Sequence, residues 1–285
     1  IGEYIKMKNL DLKNGVIIAD GAMGTRIMKL GVNLKETPSE LLNIKKPELI
    51  EKIHREYIES GANLILSNTF MCNIINAKRN NYNLEEVIEA GIHIAKKACG
   101  DHGLVALDIG PLSYYIEEND SSFKEIVYEN TERIINVSKD KFDLVIFETL
   151  GSLKEGEFAV KKAKTLTDKK VICSFTLAYK KDIPNFIKNI VSTLEPLGVD
   201  ALGINCTEYE EILMALDILK ENTNLPIMIK ANLGIPKKVG EELIYDKTLE
   251  EFKNLSKRAI EKGVNIIGGC CGTTPEYIRA ICNLK

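Results

Sequence analysis

The chain has 285 residues, of which 45% are hydrophobic and 28% charged, and its formal net charge is -3. A slightly acidic sequence without a Lys/Arg-rich block argues against a nucleic-acid-binding surface, and no apolar run approaches the roughly 18 residues that cross a membrane. The first ten residues lack the apolar stretch of a signal peptide, so we expect a cytoplasmic protein. Met7 is a candidate natural start, and residues 1–6 are then interpreted as an addition made during cloning.

Short runs rich in β-branched residues alternate with longer amphipathic runs along the chain. The strands are predicted at residues 16–19, 64–67, 104–109, 144–147, 171–175, 201–204, 227–230 and 265–267. The helices are predicted at residues 47–60, 84–99, 122–137, 153–165, 183–194, 209–220, 249–262 and 275–284, and the segments 31–46 and 233–247 are expected to be irregular. The predicted strands are nearly continuous in apolar residues, which is typical of parallel strands buried on both faces.

Eight strand–helix units predict an α/β protein with the (β/α)8 TIM-barrel fold, as a single domain spanning residues 1–285. A doubly wound sheet uses the same units, but it usually has fewer strands and a topological switch point. Barrels of about 250 residues occur as one domain, and no linker or internal repeat interrupts this sequence. The even spacing of the eight units therefore favours the closed barrel.

Polar residues follow the predicted strands at the point where each strand ends. They are Asp20-Gly21-Ala22, Asn68-Thr69, Asp108, Glu148, Asn205-Cys206, Asn232 and Gly268-Gly269-Cys270-Cys271. In a barrel the carboxyl ends of all eight strands meet at one face, and barrel enzymes carry their chemistry there. We therefore expect the functional site at this face.

Three of the seven cysteines, Cys206, Cys270 and Cys271, close the predicted strands 6 and 8. These strand ends lie on one rim, separated by a single strand, so the three thiolates converge as in a site for a soft metal, most often zinc. The histidines fall on predicted helices or at the opposite face of the barrel: His54, His93 and His102. The predicted site thus has three cysteine ligands and one open position, which is typical of catalytic zinc.

The same residues fit other roles. A single cysteine at a strand end usually only packs, and the vicinal Cys270 and Cys271 can form a redox pair. The Gly268-Gly269 turn, followed by a helix that opens at Thr274-Pro275, also fits a phosphate-binding turn. An odd number of cysteines without an export signal argues only against a disulfide framework. Spacing alone leaves these alternatives open.

Four motifs, in order and at compatible spacing, resemble the homocysteine S-methyltransferase family. They are Asp20-Gly21-Ala22-Met23-Gly24-Thr25, Asn68-Thr69-Phe70, Gly203-Ile204-Asn205-Cys206 and Gly268-Gly269-Cys270-Cys271-Gly272-Thr273. Within that family the chain is most similar to the N-terminal homocysteine-binding module of cobalamin-dependent methionine synthase. The resemblance extends from Asp20 to Pro275, and the double cysteine with its upstream Asn-Cys is highly specific.

The resemblance implies a set of roles for residues of this chain. Cys206, Cys270 and Cys271 hold zinc, and the homocysteine sulfur takes the open position. The turn Asp20-Gly21-Ala22 and Glu148 contact the amino-acid end of the substrate. Further residues that line the substrate pocket are Thr69, Asn205 and Asn232. Zinc coordination removes the thiol proton, so the bound sulfur is a thiolate that can attack a methyl group.

The implied reaction transfers a methyl group to homocysteine and gives methionine. The expected donor is a methylcorrinoid such as methylcobalamin, carried on another domain or protein, because the barrel uses the whole length of this chain. The alternatives are a small sulfonium or betaine donor, or another thiol substrate. Outside this class stand a phosphate-binding barrel lyase with Lys230 as its reactive lysine, and a non-catalytic zinc- or thiol-binding module.

Several rim loops depart from the family pattern. Met71-Cys72-Asn73 stands where small residues are usual, and Leu112-Ser113-Tyr114-Tyr115 follows Gly110-Pro111 where a threonine is common. Strand 7 ends in Ala231-Asn232-Leu233-Gly234 where Pro-Asn-Ala-Gly is typical, and the loop 176–182 is short. These loops face the side from which a methyl donor approaches, so the departures concern the donor and the exact thiol.

Overall fold

The computed structural model describes residues 11–178, 180–239 and 242–284. The predicted start at Met7 and the predicted cloning remnant at residues 1–6 lie outside them. The strands are β1 (Ile17–Ile18), β2 (Leu64–Leu66), β3 (Leu104–Ile109), β4 (Leu144–Leu150), β5 (Lys170–Phe175), β6 (Ala201–Asn205), β7 (Ile227–Ala231), β8 (Lys237–Val239), β9 (Glu242–Ile244) and β10 (Ile266–Gly269).

The helices lie between the strands. They are α1 (Met23–Lys29), α2 (Leu42–Lys45), α3 (Pro47–Glu59), α4 (Ile74–Asn80), α5 (Leu84–Cys99), α6 (Phe123–Val137), α7 (Leu153–Leu166), α8 (Ile183–Leu194), α9 (Tyr209–Asn222), α10 (Leu249–Glu261) and α11 (Pro275–Cys282), with 3-10 turns at Ser39–Leu41 and Glu195–Leu197. Polar side chains cap several of them. At α10, Thr248 and Glu251 form a reciprocal capping box, which satisfies two backbone amides that the first turn leaves free.

Eight parallel strands form one sheet in the order β1-β10-β7-β6-β5-β4-β3-β2. A parallel bridge between Ala19 and Leu64 joins the two ends of this order, so the sheet curls into a barrel. The predicted (β/α)8 TIM barrel is confirmed, and the doubly wound alternative is wrong because the first strand pairs with the last and also meets the second.

Two segments that were expected to be irregular contain regular structure. Segment 31–46 holds the 3-10 turn and α2, and segment 233–247 holds the antiparallel hairpin of β8 and β9. The helices α1 and α4 also went unpredicted. All of these elements have seven residues or fewer, which is too short for a helical or strand periodicity to stand out in the sequence.

The barrel interior is apolar as far as a layer of polar side chains near the carboxyl ends of the strands. It is filled by Leu12, Ile17, Ala19, Leu64, Leu66, Ala106, Leu144, Ile146, Ile172, Ala201, Met228 and Ile266. Side chains alternate along a strand, so two residues beyond Ala106, Ile146 and Met228 the inward positions hold Asp108, Glu148 and Lys230. Together with Asp20, which follows β1, these residues form what we call the polar layer, and all four are buried.

No helix within the described ranges is both long enough and apolar enough to span a membrane.

Candidate metal and substrate site

The three predicted metal ligands come together at the carboxyl end of the barrel. The Sγ atoms of Cys206, Cys270 and Cys271 all lie within 4.8 Å of one another, and each residue is partly exposed. The sulfurs of Cys206 and Cys271 are 3.8 Å apart. Two sulfurs at about 2.3 Å from one tetrahedral zinc ion are separated by about 3.8 Å, so the donor set fits zinc in both chemistry and spacing.

Unusual backbone conformations place these cysteines. Cys206 has a φ of 53°, in the left-handed region that non-glycine residues seldom adopt, and its amide donates to the carbonyl of Lys230 at 3.1 Å. Gly272 has a φ of 87° directly after the cysteine pair. A Cβ atom there would lie 2.7 Å from the ring of Tyr245, so only glycine allows this turn beneath that ring.

Asn205, a predicted pocket residue at the end of β6, is hydrogen-bonded to the ends of β4 and β5. Its Oδ1 accepts from the amide of Thr149 at 3.1 Å, and its Nδ2 donates to Thr149 Oγ1 at 2.6 Å. Ser174 on β5 donates to the same Oδ1 at 2.6 Å. Thr149 has a φ of 61°, and a β-branched residue in that conformation is strained. The side chain of Asn205 is completely buried, so it holds the ends of β4, β5 and β6 in register.

Both predicted asparagines also contact the cysteines. The Nδ2 of Asn205 lies 4.0 Å from Cys270 Sγ, and the Oδ1 of Asn232 accepts from the amide of Cys271 at 3.1 Å. Contact with Cys206 and burial raise the pKa of Cys270 above its ordinary value. Three neighbouring thiols therefore need a cation to ionise together, which a bound metal would provide.

Lys230 occupies the centre of the polar layer. Its Nζ lies 2.9 Å from Glu148 Oε1 and 3.3 Å from Asp20 Oδ1. Burial by itself lowers the pKa of Lys230, but Glu148 and Asp20 more than reverse that effect, so the net pKa is raised. Burial also raises the pKa of Asp20 to about 6. The two carboxylates that the resemblance assigns to the substrate thus already share one ammonium group of the protein.

Asp108 belongs to the same layer but has no such partner. Its Oδ1 is buried and forms no hydrogen bond with the described residues. Burial and then the neighbouring Glu148 raise the pKa of Asp108 well above its usual range.

The other predicted contact residues are engaged with the protein itself. A Cβ on Gly21 would lie 2.7 Å from the ring of Tyr57. The amide of Ala22 donates to Thr273 Oγ1 at 3.1 Å, and its carbonyl accepts from Tyr57 Oη at 2.7 Å. Thr69 is buried and donates to the carbonyl of Asp108 at 2.7 Å. All of these contacts are made within the protein.

Sequence reasoning missed the pairing of Lys230 and the place of Asp108 in the site. Both residues stand at the ends of predicted strands, and that position alone does not give the direction of a side chain. The signal was present: each stands two positions beyond an apolar residue of the barrel interior, so strand alternation directs it inward. Ser174 was also missed, although it stands two positions beyond Ile172 of the barrel interior and carries the same signal. Thr149 was missed as well, and the sequence carries no comparable signal for it.

Comparisons with known proteins agree with this architecture. A family model described as homocysteine S-methyltransferase matches residues 17–284. A methionine synthase of Mycobacterium leprae is 28% identical over 294 residues, which cover 95% of this chain and 24% of the relative. The homocysteine S-methyltransferase YbgG of Bacillus subtilis is 26% identical over 93% of both chains.

A solved structure shows the same fold. The metallated form of the homocysteine methyltransferase MmuM from Escherichia coli superposes with a TM-score of 0.79 at 24% identity, over 96% of this chain and 97% of that one. The present chain spans about a quarter of the length of the curated methionine synthases that it matches, 24% of one and 25% of another.

Proposed function

The chain belongs to the homocysteine S-methyltransferase family, and we propose that it transfers a methyl group to the thiol of homocysteine, with zinc as its metal, to give methionine. The observation that carries this proposal is the cluster of three cysteine sulfurs at the mouth of the barrel, with two of them at the separation expected around zinc. The proposed metal site needs reduced thiols, and thiols stay reduced in the cytoplasm. We therefore expect the protein to act there.

Cys206, Cys270 and Cys271 would hold the metal and leave one position open. Zinc, when bound, lowers the pKa of a coordinated thiol so that the sulfur is a thiolate at neutral pH. The protein holds its own ligands in place: Asn205 contacts Cys270, and Asn232 binds the amide of Cys271. Since the strand ends are fastened to one another, the substrate sulfur would face the donor in a fixed direction.

The polar layer lies below the cysteines and would meet the amino-acid end of the substrate. Asp20 and Glu148 keep one ammonium partner in Lys230, which holds both carboxylates in position. Gly21, Ala22 and Thr69 are held by contacts with neighbouring residues of the protein. We therefore assign these residues to substrate orientation, and no group of the protein is needed as a general base.

We further propose a methylcorrinoid as donor, carried by another domain or protein. Two observations support it: the methionine synthases matched are about four times as long as this chain, and large apolar side chains around the mouth are exposed, namely Tyr114, Ile235, Leu243 and Ile244. A small sulfonium or betaine donor is the second candidate, because YbgG is similar over nearly its whole length and has no room for a carrier domain.

The metal and the reaction are tested together by Cys206→Ser. We expect this variant to lose zinc and methionine formation, because the remaining site has two thiolates. Cys282→Ser is the matched control, since Cys282 lies on α11 away from the cluster, and it should retain both. A zinc-free Cys206→Ser protein with full activity would contradict the proposal.

The donor is tested with the zinc-loaded protein and homocysteine. Loss of the methyl-cobalt absorbance of free methylcobalamin, with methionine formed, supports the corrinoid donor. Methionine formed only from S-methylmethionine or betaine supports the small donor. Bound zinc without turnover from any of them supports a non-catalytic zinc- or thiol-binding module.

A phosphate-binding lyase is the least favoured alternative. Lys230 would have to act as a neutral amine, yet its raised pKa and its two carboxylate partners keep it protonated. Thermal protection by a sugar phosphate in a protein without zinc would favour that reading.

A further inference from the structure

The turn that carries Cys270 and Cys271 is closed by the residue that ends it. Both the amide and the hydroxyl of Thr273 donate to the carbonyl of Cys270, at 3.1 Å and 2.7 Å. The residue before Thr273 is Gly272, whose φ of 87° suits the third position of a tight turn. Because the two cysteines are adjacent in sequence, their sulfurs can face one metal ion only while this turn keeps its conformation.

The four amides of the turn all donate within the protein. Those of the two cysteines donate to the carbonyl of Ala231 and to Asn232 Oδ1, at the end of β7, at 2.8 Å and 3.1 Å. The amide of Gly272 donates to Thr25 Oγ1 on α1 at 3.2 Å. The fourth is the amide of Thr273 that closes the turn. The turn is thus held from β7 on one side and from α1 on the other.

Tyr57 on α3 adds to the hold on the α1 side. Its hydroxyl donates to the carbonyl of Ala22 at 2.7 Å and lies 3.3 Å from the carbonyl of Thr273. The amide of Ala22 in turn donates to Thr273 Oγ1 at 3.1 Å. Tyr57 and Thr273 are 0% exposed and Thr25 is 8% exposed. Side chains buried to this extent can act on the metal site only through the turn that they hold.

We propose that the hydroxyl groups of Thr25, Tyr57 and Thr273 position the metal site, because they hold the turn in the conformation that directs its two cysteine sulfurs toward the third ligand. The inference rests on the proposed zinc site and adds to it three residues that do not bind the metal. Thr25 and Thr273 belong to the motifs that carry the family resemblance, and the roles that this resemblance implies do not include them.

The expected effect is on metal affinity. A turn that has lost one of these hydrogen bonds can adopt other conformations, so the two sulfurs have to be brought into place when the metal binds. Loss of hydrogen-bonding partners behind the ligands typically lowers metal affinity by about 10- to 100-fold. A role in stability alone would instead weaken the fold and leave the arrangement of the bound ligands unchanged.

The test measures zinc affinity by competition with a chelator. We expect Thr25→Val and Tyr57→Phe each to bind zinc about 10- to 100-fold more weakly than wild type. Thr25→Ser keeps the acceptor for the Gly272 amide and should stay within about threefold of wild type. Tyr209→Phe is the matched control for Tyr57→Phe. Tyr209 is also buried, but its hydroxyl has no hydrogen-bond partner among the described residues, so its removal should leave zinc affinity unchanged.

Cobalt(II) in place of zinc gives the measurement that a role in stability alone would not change. The visible absorption of bound cobalt depends on how its ligands are arranged. At saturating cobalt, we expect the spectra of Thr25→Val and Tyr57→Phe to differ from wild type in band position and intensity. The spectra of Thr25→Ser and Tyr209→Phe should match wild type.

Each outcome decides the inference. Wild-type zinc affinity in both Thr25→Val and Tyr57→Phe overturns it and leaves the proposed function standing. Weaker zinc binding with an unchanged cobalt spectrum, and without recovery in Thr25→Ser, assigns the loss to stability and also overturns it. Failure of wild type to bind zinc removes the proposed function and the inference together. If Thr25→Val does not fold, Tyr57→Phe and its control Tyr209→Phe decide by the same two measurements.

Discussion

At each end of the barrel an aspartate accepts hydrogen bonds from a backbone amide and from a lysine, but the two pairs differ in solvent exposure. At the amino end, Asp200 accepts from the amide of Val171 at 2.9 Å and from Lys170 Nζ at 2.9 Å. At the carboxyl end, Asp20 accepts from the amide of Leu66 at 2.9 Å and from Lys230 Nζ at 3.3 Å. The first pair of side chains is 16% and 44% exposed, whereas the second is 5% and 4% exposed.

The difference separates stability from function. Asp200 has two lysines in solvent contact, because Lys164 also binds it at 3.0 Å, and screened pairs of this kind contribute little. In the polar layer one lysine serves two carboxylates out of contact with water. A buried pair of that kind does not by itself stabilise a fold, yet it is costly to break. We therefore expect the buried group to matter for the proposed function and the exposed group to matter little for either, and the predictions below test this difference between the two ends.

The largest effect is expected from Lys230→Met, which leaves Glu148 and Asp20 buried without their cation. Loss of one partner of a buried ion pair costs about 3–5 kcal/mol, and we expect the free energy of unfolding in urea to fall by that amount. Lys170→Met removes the matching lysine at the amino end and should cost less than about 1 kcal/mol. Equal losses in the two variants would refute the contrast between the ends.

A second prediction concerns the pH dependence of stability, because a buried histidine outside the polar layer also destabilises the protein in acid. His54 on α3 is completely buried, neither ring nitrogen has a partner among the described residues, and burial lowers its pKa from 6.5 to about 4. The unfolded chain therefore binds the proton first as pH falls. The contribution of His54 to the free energy of unfolding is fully present above pH 6.5 and decreases toward pH 4. The loss is about 2 kcal/mol at pH 5.

The variant His54→Met should remove this acid-dependent loss, measured by urea unfolding at pH 5 and pH 7.5. His93→Met is the control, because His93 lies on α5 with an exposed side chain, and its pH profile should match wild type. An unchanged profile in His54→Met would assign the loss to other groups. Asp20 has the opposite effect. Its pKa is raised to about 6 in the folded protein, so its contribution to the free energy of unfolding becomes more favourable as pH falls from 6 toward 3.8.

The smallest effect is expected at the junction of Thr149 and Asn205. Thr149→Val keeps the shape of the side chain but removes the acceptor of Asn205 Nδ2, and we expect a loss of about 1–2 kcal/mol because a buried donor is left unpaired. Thr149→Ser retains the hydroxyl and should lose less than half of that. Thermal unfolding of the two proteins measures the difference, and a serine variant no more stable than the valine variant would exclude the hydrogen bond as the cause.

The sequence was sufficient for the barrel because each long element carries its own pattern. The apolar runs of β3 and β4 and the amphipathic period of α5 are visible without any partner. The hairpin of β8 and β9 was missed because the side chains described in it give no buried apolar pattern, as the exposed Leu243 and Ile244 indicate. Its strands are fixed by pairing with each other, which composition does not reveal.

The site was predictable in part for the same reason. Cys206, Cys270 and Cys271 could be brought together from strand order alone, because neighbouring strand ends share a rim. The partner of Lys230 could not be predicted from strand order. Glu148 lies three strands away across the barrel, and contact between the two depends on how far each side chain reaches inward. Likewise the left-handed conformation of Cys206 follows from tertiary hydrogen bonds and leaves no trace in local residue preference.

Asp20 also closes the barrel. Only one backbone bridge, Ala19 to Leu64, is assigned between β1 and β2 in the described chain, and side chains extend the join: Asn63 Oδ1 accepts from the amide of Ile18 at 2.8 Å, and Asp20 Oδ2 from that of Leu66 at 2.9 Å. The carboxylate of Asp20 therefore belongs both to the polar layer and to the junction between β1 and β2. The Leu66 amide donates to Asp20, so its deuterium exchange should slow when a ligand at the barrel mouth restrains Asp20.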